Sequence, residues 1–217
     1  MNKYKTFIFD CDGVILNSNR IKTEAFYKTV LPYGEEYAQK FKEHHIANGG
    51  ISRYKKFEYF LTNMVPCEKK GFGLNKLLKT YAAIIEQDLL NCEIAPKLKE
   101  LRDLTINSRW IIVSGGDQME LQEIMHKRNL SNFFDAGIFG SPDSKEVILK
   151  REIENENIQL PALFLGDTKY DYESAKNTGL DFIFLSGWSE FKELKEYANK
   201  NKIKVFENIA EFITYGK

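Results

Sequence analysis

The chain has 217 residues, with 31 Lys+Arg against 31 Asp+Glu, 43% hydrophobic and 13% aromatic. That length suits one domain with a modest insertion, large enough to fold without a disulfide or metal staple, and the apolar fraction excludes intrinsic disorder. A formal net charge of zero argues against a nucleic-acid binder held by phosphate contacts.

The first element predicted is a strand, Thr6-Phe7-Ile8-Phe9, which ends abruptly in Asp10-Cys11-Asp12-Gly13. This run is too short for the apolar region of a signal peptide, and no run reaches the roughly 20 residues of a membrane span. From about 19 to 90 the pattern reads as helix after helix (22–31, 35–45, 53–63, 74–89), with turns at Pro32-Tyr33-Gly34, Asn48-Gly49-Gly50 and Gly71-Phe72-Gly73. This predicts a helical cap over 19–90, inserted into a core built from 1–18 and 91–217, with Pro96 at the return. Further apolar runs follow at 110–113, 136–139, 162–165 and 182–185, alternating with helical patterns at 119–130, 147–153 and 172–178. Runs apolar throughout suit strands buried on both faces, so the fold class is α/β: a doubly wound parallel, Rossmann-like sheet with an α-helical insertion. Glu193 to Lys204, interleaving charges with apolar residues, reads as a solvated helix face. Three scattered cysteines (Cys11, Cys67, Cys92) form no CxxC pair, which fits a reducing, cytoplasmic setting.

Four strand ends carry small or acidic residues, where open α/β sheets bind ligands. Asp10 and Asp12, at i and i+2, point to one side of an extended chain. At about 4 Å and an effective dielectric of about 20, they repel by on the order of 4 kcal/mol, so the pair implies a cation or a shared proton. An acidic loop or helix cap is the other reading of such a pair. Gly166-Asp167-Thr168-Lys169-Tyr170-Asp171 opens a helix and is explicable as a cap, yet it brings Asp167 and Asp171 to the same edge as Asp10 and Asp12. Four carboxylates in one crevice call for a hard cation, and oxygen ligands of this kind suit Mg²⁺. Ser114-Gly115-Gly116-Asp117 presents a hydroxyl and backbone N–H groups to an anion, or is a turn capped by Ser114 or Asp117. Lys145, near a predicted helix start, is taken alone an ordinary solvent-facing lysine.

Their order along the chain resembles that of haloacid dehalogenase superfamily hydrolases, in the subgroup of phosphoglycolate phosphatases and β-phosphoglucomutase with a helical cap. Asp10-Cys11-Asp12-Gly13-Val14 matches the first motif, Ser114-Gly115 the second, Lys145 the third, and Gly166-Asp167-Thr168 with Asp171 the fourth. Lys145-Glu146 stands where many relatives carry Lys-Pro, and Lys150 is the alternative lysine. The resemblance implies a nucleophile at Asp10 and an acid–base at Asp12. It implies Mg²⁺ held by Asp10, the Asp12 carbonyl and Asp167, an oxygen cradle of Ser114, Gly115 and Lys145, and a supporting Asp171.

The function so implied is a Mg²⁺-dependent phosphomonoesterase acting on a small phosphorylated metabolite, phosphoglycolate- or sugar-phosphate-like, through an aspartyl-phosphate. The alternative is a β-phosphoglucomutase-like isomerase, because Gly49-Gly50-Ile51-Ser52-Arg53 resembles that family's cap loop, in which the arginine grips a second phosphate. Against it, Lys22 stands where that family has a histidine; Ser52 reads equally as a helix cap. Asp12 disfavours dehalogenases and phosphonoacetaldehyde hydrolases, which lack it. A fold-retaining binding protein has no need of nucleophile and acid together. His44 and His45 read as helix-face residues. The partner expected is a small phosphorylated substrate, with neither nucleic acid nor membrane; oligomeric state is not legible.

Overall fold

Thr6–Phe9 is buried along its whole length and forms β1, an inner strand of a six-stranded parallel sheet. In this computed structural model, which describes residues 3–66 and 71–216, the chain then enters helices α1 (Asn19–Val30), α2 (Glu35–Ala47) and α3 (Arg53–Tyr59). A π-helical turn, Phe60–Met64, and α4 (Leu74–Asn91) complete this helical block. Next come α5 (Leu98–Leu104), β2 (Arg109–Asp117), α6 (Gln118–Lys127), β3 (Ile138–Ser141), α7 (Lys145–Glu154) and β4 (Ala162–Gly166). The chain ends with α8 (Lys169–Asn177), β5 (Asp181–Leu185), α9 (Leu194–Asn201), β6 (Lys204–Phe206) and α10 (Ile209–Tyr215). The sheet order is β3-β2-β1-β4-β5-β6, with every pair parallel. The doubly wound architecture read from the continuous apolar runs is the one observed.

Alternation in β1 sorts the core into two layers. Ile8 packs with Ile111, Ile148 and Phe164 on one face, whereas Phe7 and Phe9 pack with Trp110, Leu101 and Ile124 on the other. The second layer runs on without a break into the helical block, where Phe26, Phe41, Phe57, Phe60 and Tyr81 are buried together. Two crossings join that block to the sheet, and they are hydrogen-bonded to each other: Ala95 N–H donates to the Ile15 carbonyl and Asn17 N–H to the Glu93 carbonyl, each at 2.9 Å.

Several boundaries differ from the sequence reading, among them β3, which starts two residues later than its apolar run at 136–139, and α6, which ends at Lys127 rather than at 130. The predicted helix 53–63 changes to a π-helical turn at Phe60. Strand β2 runs on past its apolar stretch through Ser114-Gly115-Gly116 to Asp117, with its pairing to β3 interrupted between Val113 and Asp117. Lys204 leaves the expected helix face to start β6, an edge strand beside β5. Among the described residues no helix is long and apolar enough to cross a membrane. Cys11 and Cys92 are free thiols, and Cys67 lies outside the described residues.

Candidate active site

The strand order reverses between β1 and β4, and there the carboxyl ends of two adjacent strands, in register at Phe9 and Leu165, deliver Asp10 and Asp167 side by side. Carboxylate oxygens of Asp10, Asp167 and Asp171 lie within 4.8 Å of one another, all buried. Lys145, the first residue of α7, is 1% exposed and bridges two of them. Its Nζ lies 2.8 Å from Asp10 Oδ2 and donates also to Asp171 Oδ1. Lys150 is exposed, farther along the same helix.

Each member of the trio is held differently. Asp171 closes a capping box at the start of α8, its Oδ2 accepting from Thr168 N–H at 3.0 Å, Thr168 Oγ1 at 2.7 Å and Asp167 N–H at 3.1 Å, so that oxygen is fully engaged. Asp10 accepts from the Cys11 N–H at 2.7 Å. Asp167 Oδ2 accepts from Asn19 Nδ2 at 2.7 Å, while Oδ1 is buried without a hydrogen-bond partner. Burial, with Asp171 and Asp12 adding to it against Lys145, pushes the Asp10 carboxyl up to about 7. Burial first, then the charges of Asp171 and Asp10, drives Asp167 well above the usual range. Two carboxyls that resist ionisation and one orphaned buried oxygen make a cluster compatible with a hard divalent cation. Gly13 makes room for the Asp167 carboxylate and its Asn19 partner, since at its φ of +75° a Cβ would stand 2.4 Å from Asp167 Oδ2.

Asp12 departs from the expected arrangement. Its carboxylate does not join the trio but turns toward α1, accepting from Ser18 Oγ at 2.6 Å and pairing with Lys22 Nζ at 2.7 Å. The period-two rule fails because the chain leaves extended geometry at Phe9, so Asp10 and Asp12 no longer share a side. Burial works against its charge, but Lys22 beside it and the bonds from Lys22 and Ser18 hold its carboxyl below the ordinary value.

Ser114 is fully buried and its Oγ accepts from Gly116 N–H at 3.1 Å. A Cβ on Gly115 would lie 2.0 Å from the Gly50 carbonyl oxygen, so the cap loop meets the core there, and only glycine permits the approach. Asp117 caps α6, accepting from Glu120 N–H at 3.0 Å, and also accepts from Tyr54 Oη at 2.5 Å. Arg53, with Ser52 as the cap of its helix, is engaged bidentately by Glu120 of α6, one contact being 2.9 Å.

A cavity of about 690 Å³ opens above Asp10 and Asp167, lined from the cap by Lys22, His45, Arg53 and Lys56 and from the core by Gly115 and Thr168. Asn19, Lys56 and the role of His45 escaped the sequence reading. Asn19 and Lys22 sit three apart on the first turns of α1, a spacing that could have exposed them. His44 stacks on Tyr59 with ring centroids 4.2 Å apart, a surface role, whereas His45 Nδ1 accepts from Lys56 Nζ at 2.7 Å.

Lys56 is 2% exposed, and burial, reinforced by the charge of Lys22, brings its ammonium down to about 7. The groups facing it are His45 from α2, Lys22 and Phe26 from α1, and, more weakly, Asp12 and Glu190 from the core. Unfolded, Lys56 keeps its proton up to about 10.5, so between 7 and 10.5 the unfolded chain binds more protons and stability climbs with pH. Below 7 the full cost of a buried ammonium applies. Lys56→Met is therefore expected to raise Tm, most strongly below pH 7, with the gain shrinking toward pH 10.5. Thermal melts across that range check it; a pH-independent gain would mean that Lys56 titrates alike in the folded and unfolded chain, its ammonium not depressed by burial.

A family profile described as haloacid dehalogenase-like hydrolase matches residues 7–185. No curated protein matches the chain. Among solved structures, a haloacid dehalogenase-like hydrolase family protein from Streptococcus pneumoniae superposes with a TM-score of 0.71 at 19% identity, covering 100% of both chains. A predicted phosphoglycolate phosphatase from Haemophilus somnus reaches 0.75 at 16% identity, again covering 100% of both. CbbY from Rhodobacter sphaeroides, in complex with phosphate, gives 0.71 at 13% identity over 96% of each chain. At such identities the likeness is one of fold. The profile match, spanning most of the chain from β1 to β5, settles the family: the chain belongs to the haloacid dehalogenase-like hydrolases.

Proposed function

We propose that this hydrolase is a Mg²⁺-dependent phosphomonoesterase acting on a small phosphorylated metabolite through an aspartyl-phosphate on Asp10. The observation that carries it is the buried Asp10–Asp167–Asp171 cluster, bridged by Lys145, with Asp10 and Asp167 lining a cavity. Asp10 and Asp167, with the Asp12 carbonyl, would hold Mg²⁺. When bound, the ion offsets the negative charge that opposes attack on a phosphate dianion. Lys145 sets the Asp10 oxygen and, with Ser114 and the Gly115 N–H, receives the equatorial phosphoryl oxygens. Asp171, with one oxygen engaged by the turn at Thr168 and the other by Lys145, positions Lys145.

The reaction divides into two displacements. An Asp10 oxygen forms a bond to phosphorus as the ester P–O bond breaks, and the departing oxygen takes a proton from Asp12, which must gain it when the phosphate dianion arrives because Lys22 and Ser18 hold the free carboxyl ionised. Asp12 then takes a proton from the water that attacks phosphorus, releasing phosphate and restoring Asp10. The Lys22–Asp12 pair places a cap residue on this acid–base, so the group that protonates the leaving oxygen is oriented by the lobe that covers it. Nothing in the geometry favours the isomerase reading, since Lys22 is committed to Asp12 and Arg53 to Glu120.

Leaving-group dependence tests the scheme. Asp12→Asn is expected to slow hydrolysis of alkyl phosphates by about 10²–10⁴-fold, and of p-nitrophenyl phosphate far less, because a phenolate departs with little help from a proton. Initial rates of phosphate release give the comparison. Equal losses on both ester types would assign Asp12 to structure, and conversion of β-glucose 1-phosphate to glucose 6-phosphate with little phosphate released would replace the phosphatase reading by the isomerase.

A further inference from the structure

The cavity is far larger than a phosphoryl group needs, so its upper part houses whatever the phosphate is attached to. Three buried cations line that part, and two are already neutralised. Lys22 is paired with Asp12 at 2.7 Å, and Arg53 is gripped by both Glu120 oxygens. Lys56 alone has no carboxylate within ion-pair distance among the described residues. Its Nζ reaches only the ring of His45, at 2.7 Å, and the His45 carbonyl at 3.5 Å. Phe26 lies beneath it, its ring centroid 5.4 Å away.

The cation is thus walled by a neutral imidazole and an aromatic face and opens on the cavity. Burial, and the neighbouring Lys56 charge after it, hold His45 well below its ordinary value, so its ring accepts a hydrogen bond without supplying charge. A buried, uncompensated ammonium destabilises a fold unless something anionic arrives to answer it. The Arg53 position, matched by sequence to a phosphate-gripping arginine, is a poor candidate for that ligand, because binding there would strip Glu120 of its partner.

We propose that Lys56 is the seat for a second anionic group on the substrate, a carboxylate or another phosphate carried by the leaving group. The enzyme accordingly takes phosphate esters of small acids or bisphosphates, and rejects esters whose leaving group is neutral. This rests on the phosphomonoesterase reading given above. His45 orients the ammonium, Phe26 excludes water from its underside, and the ester bridges from Lys56 to Asp10 across the cavity.

Matched pairs of substrates test it, each differing only in the second anion: 2-phosphoglycolate against 2-hydroxyethyl phosphate, 3-phosphoglycerate against glycerol 3-phosphate, and fructose 1,6-bisphosphate against fructose 1-phosphate. The wild-type enzyme is expected to favour the anionic member of at least one pair by about tenfold or more in kcat/KM, as a charge-assisted contact would give. The first two pairs read a carboxylate seat and the third a phosphate seat. In Lys56→Met that preference should fall by about tenfold to a hundredfold. Lys56→Gln, which keeps a hydrogen-bonding tip, should lose it likewise and serves if the methionine variant is poorly folded. No wild-type preference in any pair, or a preference that survives both substitutions, overturns the assignment. Failure of the wild type to release phosphate from p-nitrophenyl phosphate with Mg²⁺ would instead overturn the phosphomonoesterase reading, so the two failures are told apart.

Discussion

Asp10→Asn is expected to lower phosphate release by at least about four orders of magnitude, because an amide oxygen is a poor nucleophile and no other carboxylate can take its place. Asp171 is sequestered by Thr168 and Lys145, and Asp167 is bound to Asn19. The fold should not suffer. Burial already pushes Asp10 toward its neutral form, so an uncharged amide removes a repulsion from Asp167 and Asp171, while Lys145 keeps Asp171. The variant should melt at or above the wild-type temperature. Turnover assays and thermal melts on the same preparation give both readouts. Wild-type rates in the variant would mean that another group attacks phosphorus.

Chelation of divalent cations is expected to abolish turnover, with Mg²⁺ restoring it. Asp167→Ala should weaken Mg²⁺ binding by at least about tenfold to a hundredfold, since a hard cation loses a charged oxygen from a small shell. Thermal shifts separate binding from catalysis. Mg²⁺ should raise the wild-type Tm as a ligand that binds only the folded state, and should do so hardly at all in Asp167→Ala. Without metal the order should invert: the alanine variant melts higher, relieved of a buried carboxyl driven up by its neighbours. Full activity in the presence of a chelator would remove the cation from the mechanism.

The core was legible in the sequence because fully buried parallel strands leave an unmistakable mark. Thr6–Phe9, Ala162–Gly166 and Asp181–Leu185 were each visible as apolar runs within a residue of their ends. Lys204–Phe206 was not, since a three-residue edge strand half open to solvent has no such run. Asp10, Asp167 and Asp171 could be named because strand ends and a helix start fix where their backbones go, whereas Lys145 was reached only through the order of the family's motifs. Where Asp12 would point could not, as its direction depends on the turn after Phe9 and on Lys22 arriving from the next helix. Lys56 was invisible for a different reason. It sits in Tyr54-Lys55-Lys56-Phe57, where Lys55 and Lys56 are alike on paper, and only the packing of α3 against the cavity distinguishes them.

The paired crossings at Ile15–Ala95 and Asn17–Glu93 tie the two connections into one strip, since hydrogen-bonded segments constrain each other where two separate linkers would turn independently. Any tilt of the helical block away from the sheet would have to part Arg53 from Glu120 and lift the Gly50 carbonyl off Gly115, so the residues 49–53 that line the cavity are also those that fasten the block over it.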